Sequence, residues 1–271
     1  MSDATTYAQP RLITDVRDCS FYHTIDIPGH GLVEGQWDLR AGVRRYLGNV
    51  PFVSKRVLDV GSASGFLTFY MESRGAEVVS YDLAPEHHWD VVPFASVDSR
   101  GYIAERRDLI RKLNNGYWFC HRAFASKARM VHGTIYAIPA EIGPVDIAIC
   151  GSILLHVRDP FLALQNVLRL TSDTVIVTDS IPRRQFMLPW VGRLLGPKMT
   201  FLPKAQTTQP RDAWWLLSPE IVRRFLGVLG FEDTTVSCHW QLHLGRKRLL
   251  YTVVGRRTKG APSPHAADGA G

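Results

Sequence analysis

Short apolar, β-branched runs alternate with helical patterns through the middle of the chain, and this alternation most restricts the fold. Residues 55–60 (KRVLDV), 76–82 (AEVVSYD), 129–132 (RMVH), 145–150 (VDIAIC) and 174–178 (TVIVT) read as strands. Helices are expected over 65–74, around 101–115 and over 159–170, the last starting at Asp159-Pro160. Strands separated by helices indicate βαβ units and a parallel sheet. The end of the chain breaks the rule. Ser218 followed by Pro219 is a strong helix start, and that helix ends at Leu229-Gly230. Two strand-like runs follow, 231–238 and 248–254, with a long loop between them. With no helix between them they are expected to form an antiparallel hairpin at the sheet edge.

Composition narrows the class. The 271 residues are 45% hydrophobic, enough to bury a core without disulfides. No apolar run approaches the roughly 18–20 residues of a membrane span. Residues 1–18 are polar and acid-containing, unlike a signal peptide. Cys19, Cys120, Cys150 and Cys238 include no Cys-x-x-Cys, so no zinc site is expected; reduced thiols and a cytoplasmic location are. The net charge of +7 permits an acidic partner such as RNA, although the basic pairs are scattered and read more simply as a solvated surface.

The chemistry concentrates at 57–65 (VLDVGSASG), where a strand runs into a glycine-rich turn that opens a helix. Gly61 and Gly65 let backbone approach a ligand closely, and the helix start offers free N–H groups. Asp59 lies two residues before the first glycine, placed to meet an ammonium group. Asp82 ends the next strand, where a carboxylate accepts both ribose hydroxyls of a nucleoside. The alternative for both is a carboxylate that caps local N–H groups.

Asp59, Gly61, Gly65 and Asp82 resemble the first and second motifs of the class I S-adenosylmethionine-dependent methyltransferases. Ala63 departs from the middle glycine of that pattern, which implies a tighter turn and not a lost site. The resemblance implies an α/β, Rossmann-like fold: a mostly parallel seven-stranded sheet with an antiparallel edge strand and helices on both faces. A closer resemblance runs from about Phe21 to Val254, through 21–26 (FYHTID), 35–40 (GQWDLR), 114–118 (NNGYW) and 151–160 (GSILLHVRDP). These segments look like the family related to the tRNA wobble-uridine carboxymethyltransferases. It implies Ser62, Ser64, Leu83, Ala84, Ile135, Tyr136, Gly151 and Leu155 as further S-adenosylmethionine contacts. The tRNA enzymes bind carboxy-S-adenosylmethionine through lysines and a tyrosine. Gln36 and Leu155 stand at two of those positions, so ordinary S-adenosylmethionine is expected.

The expected organisation is an N-terminal arm and cap over the cofactor site at 1–50, and a cofactor-binding domain at 51–254 with insertions at 85–128 and 181–217. A disordered tail is expected at 255–271. Trp37 is a candidate cofactor contact through its ring face, or a packing residue. His156 is the leading general-base candidate, past the fourth strand at the ligand-binding edge of the sheet, the alternative being a histidine satisfied by a backbone carbonyl as it starts the next helix. His23 and Tyr22 are alternatives, with Asp26 a lesser one. Arg40, Trp118 and Arg122 are substrate-binding candidates, each with a surface-pair or packing alternative. Trp214-Trp215 read as packing, and Arg183-Arg184, Arg223-Arg224 and 246–248 (RKR) as solvated clusters.

The reading is a methyltransferase acting on an oxygen or nitrogen of a small molecule, a natural product among the candidates. The alternatives are tRNA modification, use of the aminocarboxypropyl chain with release of methylthioadenosine, and a non-catalytic cofactor-binding subunit. No metal and no membrane contact are expected, and oligomeric state is not encoded in any motif here.

Overall fold

The computed structural model describes residues 6–181 and 196–260. Its centre is an eight-stranded sheet. Five strands run parallel: β4 (Arg56–Val60), β5 (Glu77–Asp82), β6 (Arg129–His132), β7 (Val145–Gly151) and β8 (Thr171–Ser180). The hairpin β11 (Asp233–His243) and β12 (Arg246–Arg256) extends the sheet beside β8, and β3 (Trp37–Asp38) caps it. The order is β3-β11-β12-β8-β7-β4-β5-β6. Two small antiparallel pairs lie outside it: β1 (Ile25–Ile27) with β2 (Gly31–Val33), and β9 (Met199–Phe201) with β10 (Trp215–Leu217).

Two details differ from the expected sheet. There are eight strands and not seven, because two residues of the N-terminal segment pair with β11. The strand reversed against the parallel set is β12, the inner member of the hairpin, antiparallel to both β8 and β11. Its residues Leu249 to Val254 are buried, so it sits between strands, whereas most of β11 is exposed. The expected long loop between them is a two-residue turn. Leu244 (φ 48°) and Gly245 (φ 72°) both adopt left-handed backbone, the geometry that matches strand twist in a tight hairpin.

The helices are α1 (Val43–Tyr46), α2 (Phe66–Glu72), α3 (Arg100–Ala123), α4 (Pro160–Leu168) and α5 (Pro219–Val228). Asp159 caps α4 by accepting from Leu162 N at 2.9 Å, and Ser218 caps α5 by accepting from Ile221 N at 3.3 Å. Both carry proline in the first turn. One face of the sheet (Leu58, Val79, Ala148, Val175, Val177) packs with residues of α4 and α5; the other (Val57, Val78, Ile147, Ile149, Ile176) packs with residues of α2 and α3. Burial on both faces explains why these strands read as continuous apolar runs.

The helix expected at 101–115 runs on to Ala123. Residues 113–120 are buried without interruption, which erases the amphipathic period that would have announced a helix. Gly116 in its middle has a packing reason: an added Cβ would strike the carbonyl oxygen of Ser20. Ser20 N in turn donates to Lys112 O at 2.9 Å, tying the N-terminal segment to α3. The first residues of the expected tail are held by the fold. Gly255 and Arg256 belong to β12, and Arg257 donates to Leu168 O and Thr171 O at 2.6 and 2.7 Å. Residues 261–271 lie outside the described residues, as do Arg183 and Arg184 of the second insertion. Among the described residues no helix is long and apolar enough to cross a membrane.

Candidate active site

The C-terminal ends of β4, β5 and β7 open onto a cavity of about 590 Å³. This is the edge at which open parallel sheets bind ligands. Asp59, Gly61 and Ala63 come to it from β4 and its turn, Asp82 and Leu83 from β5, Ile135 and Tyr136 from beyond β6, and Gly151 and His156 from beyond β7.

Gly61 sits at φ 77°, and an added Cβ would strike Ile153. Ala63 also takes left-handed backbone, φ 49°, and its N–H donates to Asp82 Oδ2 at 2.6 Å. The tighter turn expected from alanine is therefore pinned to the next strand by a carboxylate. Leu83 N donates to Asp82 Oδ1 at 2.7 Å. Each Asp82 oxygen thus has one donor and a lone pair to spare. Asp59 is buried, and Thr68 Oγ1 donates to its Oδ2 at 2.6 Å. Loss of hydration on burial raises both carboxyls, Asp59 and Asp82, to about 6.

The N-terminal segment closes one side. Tyr22 N donates to Ser64 Oγ at 3.2 Å, and Trp37 N donates to Tyr22 O at 3.0 Å. Phe21, Tyr22, His23, Gln36 and Trp37 line the cavity, and Trp37 lies against His243 with ring centroids 4.5 Å apart. His23 packs against Tyr22 and Phe66, and burial lowers it to about 3. Burial also raises the Tyr22 phenol above its ordinary value. Near neutral pH both are uncharged, and Tyr22 is a donor and not a base.

His156 is better placed for proton transfer. Its Nδ1 meets the carbonyl oxygen of Asp212. A carbonyl only accepts, so Nδ1 carries the hydrogen and Nε2 keeps its lone pair. Burial holds the ring below the usual histidine value, hence neutral at pH 7. Trp89 stacks on it with centroids 6.0 Å apart and planes at 19°.

Several expected contacts lie elsewhere. Ser62, Ser64, Gly65, Ala84 and Leu155 are not among the lining residues. Ser64 holds the N-terminal segment, Gly65 (φ 88°) turns the chain into α2, and Leu155 O accepts from Trp214 N at 2.8 Å. Arg40 forms a surface pair with Asp38 at 2.8 Å, and Asp26 is exposed on β1. Trp118 and Arg122 are not among the residues lining the cavity: they lie one and two turns beyond Asn114, the last residue of α3 that does. His121 beside them meets Ala128 O at 2.9 Å. Trp118 is 2% exposed and packs edge-on against Tyr117. Trp118→Ala is expected to cost about 3–5 kcal/mol in urea unfolding. Ligand affinity of the folded protein should not change; weakened binding at full stability would contradict this placement.

Sequence motifs did not announce His88, Trp89, Asp90, Arg106 or Asp212, all of which line the cavity from within the two expected insertions. Tyr136 hydroxyl donates to Asp90, and Trp214 Nε1 donates to Asp90 O at 2.8 Å. Arg106 lies 5.4 Å over Trp89 and 4.7 Å over Tyr102. Except for Tyr102 and Arg106, which are four residues apart on α3, these pairings join separate segments of the chain and leave no local spacing signal.

No family profile and no curated protein matches this sequence. Solved structures do. A protein from Listeria monocytogenes provisionally assigned as an S-adenosylmethionine-dependent methyltransferase is similar with a TM-score of 0.52. The two share 15% identity over 81% of this chain and 99% of that one. EvdMO1 is similar with a TM-score of 0.52 and 14% identity, over 86% of this chain and 44% of that longer chain. The architecture is the Rossmann-like methyltransferase fold, with the eighth strand added by the N-terminal segment.

Proposed function

We propose that the chain is an S-adenosylmethionine-dependent methyltransferase acting on an oxygen or nitrogen atom of a small-molecule acceptor. The observation that carries this reading is the convergence of Asp59, Gly61 and Asp82 on a cavity that His156 and Trp89 also line. The two carboxylates suit the cofactor, since Asp59 Oδ1 and the spare lone pairs of Asp82 face no competing side-chain donor. When bound, S-adenosylmethionine supplies a methyl carbon made electrophilic by the sulfonium. Asp59 takes the ammonium group, Asp82 takes the ribose hydroxyls, and Ile135 and Tyr136 flank the adenine. Trp37 offers a ring face beside them. The cavity walls exclude water and hold the acceptor in line. His156 Nε2 accepts the acceptor's proton.

Gln36 lines the cavity where a lysine would be needed for the additional carboxylate of carboxy-S-adenosylmethionine. Ordinary S-adenosylmethionine is therefore expected to bind more tightly; the reverse order in a competition titration would overturn the cofactor assignment. The resemblance of several sequence segments to tRNA enzymes keeps RNA modification as the second reading. Of the basic clusters, Arg223 and Arg224 both pair with Glu220, which suits a solvated surface.

A pH dependence follows from the two carboxyls. Their folded values, about 6, lie above the roughly 3.9 of an unfolded aspartate. A raised carboxyl favours the folded state at low pH, and that contribution is lost as pH rises from about 4 through 6. Ligand cation and hydroxyl groups compensate the ionised pair. Affinity for S-adenosylhomocysteine should therefore weaken several-fold between pH 7.5 and pH 5 by calorimetry; a flat profile would contradict the roles of Asp59 and Asp82.

Product analysis by mass spectrometry tests the function. The protein is incubated with S-adenosylmethionine and either a low-molecular-weight extract or total tRNA. S-adenosylhomocysteine formed with the extract supports the reading and marks the acceptor by its added mass. The same product with tRNA alone favours the second reading, and methylthioadenosine without any acceptor overturns methyl transfer.

A further inference from the structure

Arg106 is the only lysine or arginine among the described residues lining the cavity, which it shares with Asp90 and Asp212. Arg106 on α3 is sandwiched by Trp89 and Tyr102 at 5.4 and 4.7 Å, and Arg211 lies 5.4 Å over the same Tyr102. Asp212 is the acid near Arg106. It accepts from the Tyr102 hydroxyl at 2.7 Å and stands 3.8 Å from Arg106 Nη1, too far for a direct hydrogen bond. Nε of Arg106 is buried and without a partner, as is Nε of Arg211. Of the pair, Arg106 lines the cavity, together with Leu109, Ile110 and Leu113 one to two turns further along α3. A guanidinium presents five donors in a plane and matches a carboxylate in fork geometry. Here its position is fixed by two aromatic rings, so little ordering is needed on binding.

We propose that Arg106 is the acceptor-recognition residue, and that it selects a molecule with a carboxylate on a flat, apolar body. The carboxylate meets the guanidinium that Asp212 engages only loosely. The body lies on Trp89 and the leucine and isoleucine side chains of α3, next to His156. This rests on the methyltransferase reading and names the class of acceptor for that site.

Fluorescence titration of the S-adenosylhomocysteine-saturated protein with 2-naphthoate and 2-naphthamide tests it, with Trp89 as a reporter. The naphthoate should bind about ten-fold or more tightly than the uncharged amide. Arg106→Gln should abolish that preference while leaving naphthamide and S-adenosylhomocysteine affinity unchanged. Arg106→Lys should restore the preference only in part, since an ammonium lacks the planar fork. Equal binding of the two probes by the wild type, or an unchanged preference in Arg106→Gln, would overturn the proposal. The titration repeated without S-adenosylhomocysteine reads Arg106 independently. Failure of the cofactor product to bind would count against the methyltransferase reading, whereas loss of the naphthoate preference would count against this one.

Discussion

His156→Gln is expected to lower turnover with the acceptor about 100- to 10,000-fold, the span of a positioned general base. Affinity for S-adenosylhomocysteine should stay within two-fold or so. The physical reason lies in the tautomer. The Asp212 carbonyl fixes the hydrogen on Nδ1, so Nε2 is the basic atom facing the cavity. Glutamine retains a donor for that carbonyl and a comparable volume, yet has no basic nitrogen. A thermal-shift measurement beside the kinetics keeps a folding defect distinguishable. The ring's lowered proton affinity also sets a pH dependence: turnover should fall only at acidic pH, as His156 becomes protonated below the usual histidine value. Full turnover in His156→Gln would mean that the acceptor attacks without base assistance.

Asp82→Ala should weaken S-adenosylhomocysteine binding about 100-fold or more. Two charge-assisted hydrogen bonds to ribose, each worth roughly 1.5–3 kcal/mol, account for that size. A second effect adds to it: Asp82 is the acceptor for Ala63 N, which holds the left-handed turn between the glycines. Asp82→Asn separates the two contributions, since the amide oxygen can still accept from Ala63 N while the charge is gone. An intermediate loss is expected for asparagine. Calorimetry at pH 7.5 reads both variants, and a wild-type affinity in Asp82→Ala would remove the ribose role.

The parallel half of the sheet was legible because its strands are buried on both faces, and burial on both faces demands unbroken apolar runs. β6 falls on the expected residues 129–132, and β4, β5 and β7 within one residue at each end. The caps at Asp159 and Ser218 were legible for the same local reason, a side-chain oxygen three residues before an N–H. What escaped depends on distant partners. The second half of α3 looks structureless as a pattern because every side of it is covered. Trp118 was a substrate-binding candidate and is core: it lies one turn beyond Asn114, which lines the cavity, and packs against Tyr117. The Leu244-Gly245 turn was hidden because leucine rarely adopts the left-handed backbone it holds there.

The candidate site divides the same way. Asp59, Gly61 and Asp82 belong to adjacent strands and the turn between them, so a fixed spacing in sequence brings all three to the cavity. Ser62 and Ser64 share that spacing but are not among the lining residues, a distinction that spacing alone does not carry. Arg106, Trp89 and Asp212 meet across more than a hundred residues of chain.

The central claim is that the cavity at the ends of β4 and β5 takes S-adenosylmethionine, and calorimetric titration of the unmodified protein with S-adenosylhomocysteine tests it most directly. One molecule bound per chain at pH 7.5, weakening at pH 5, is the predicted result. No binding at either pH would contradict the account.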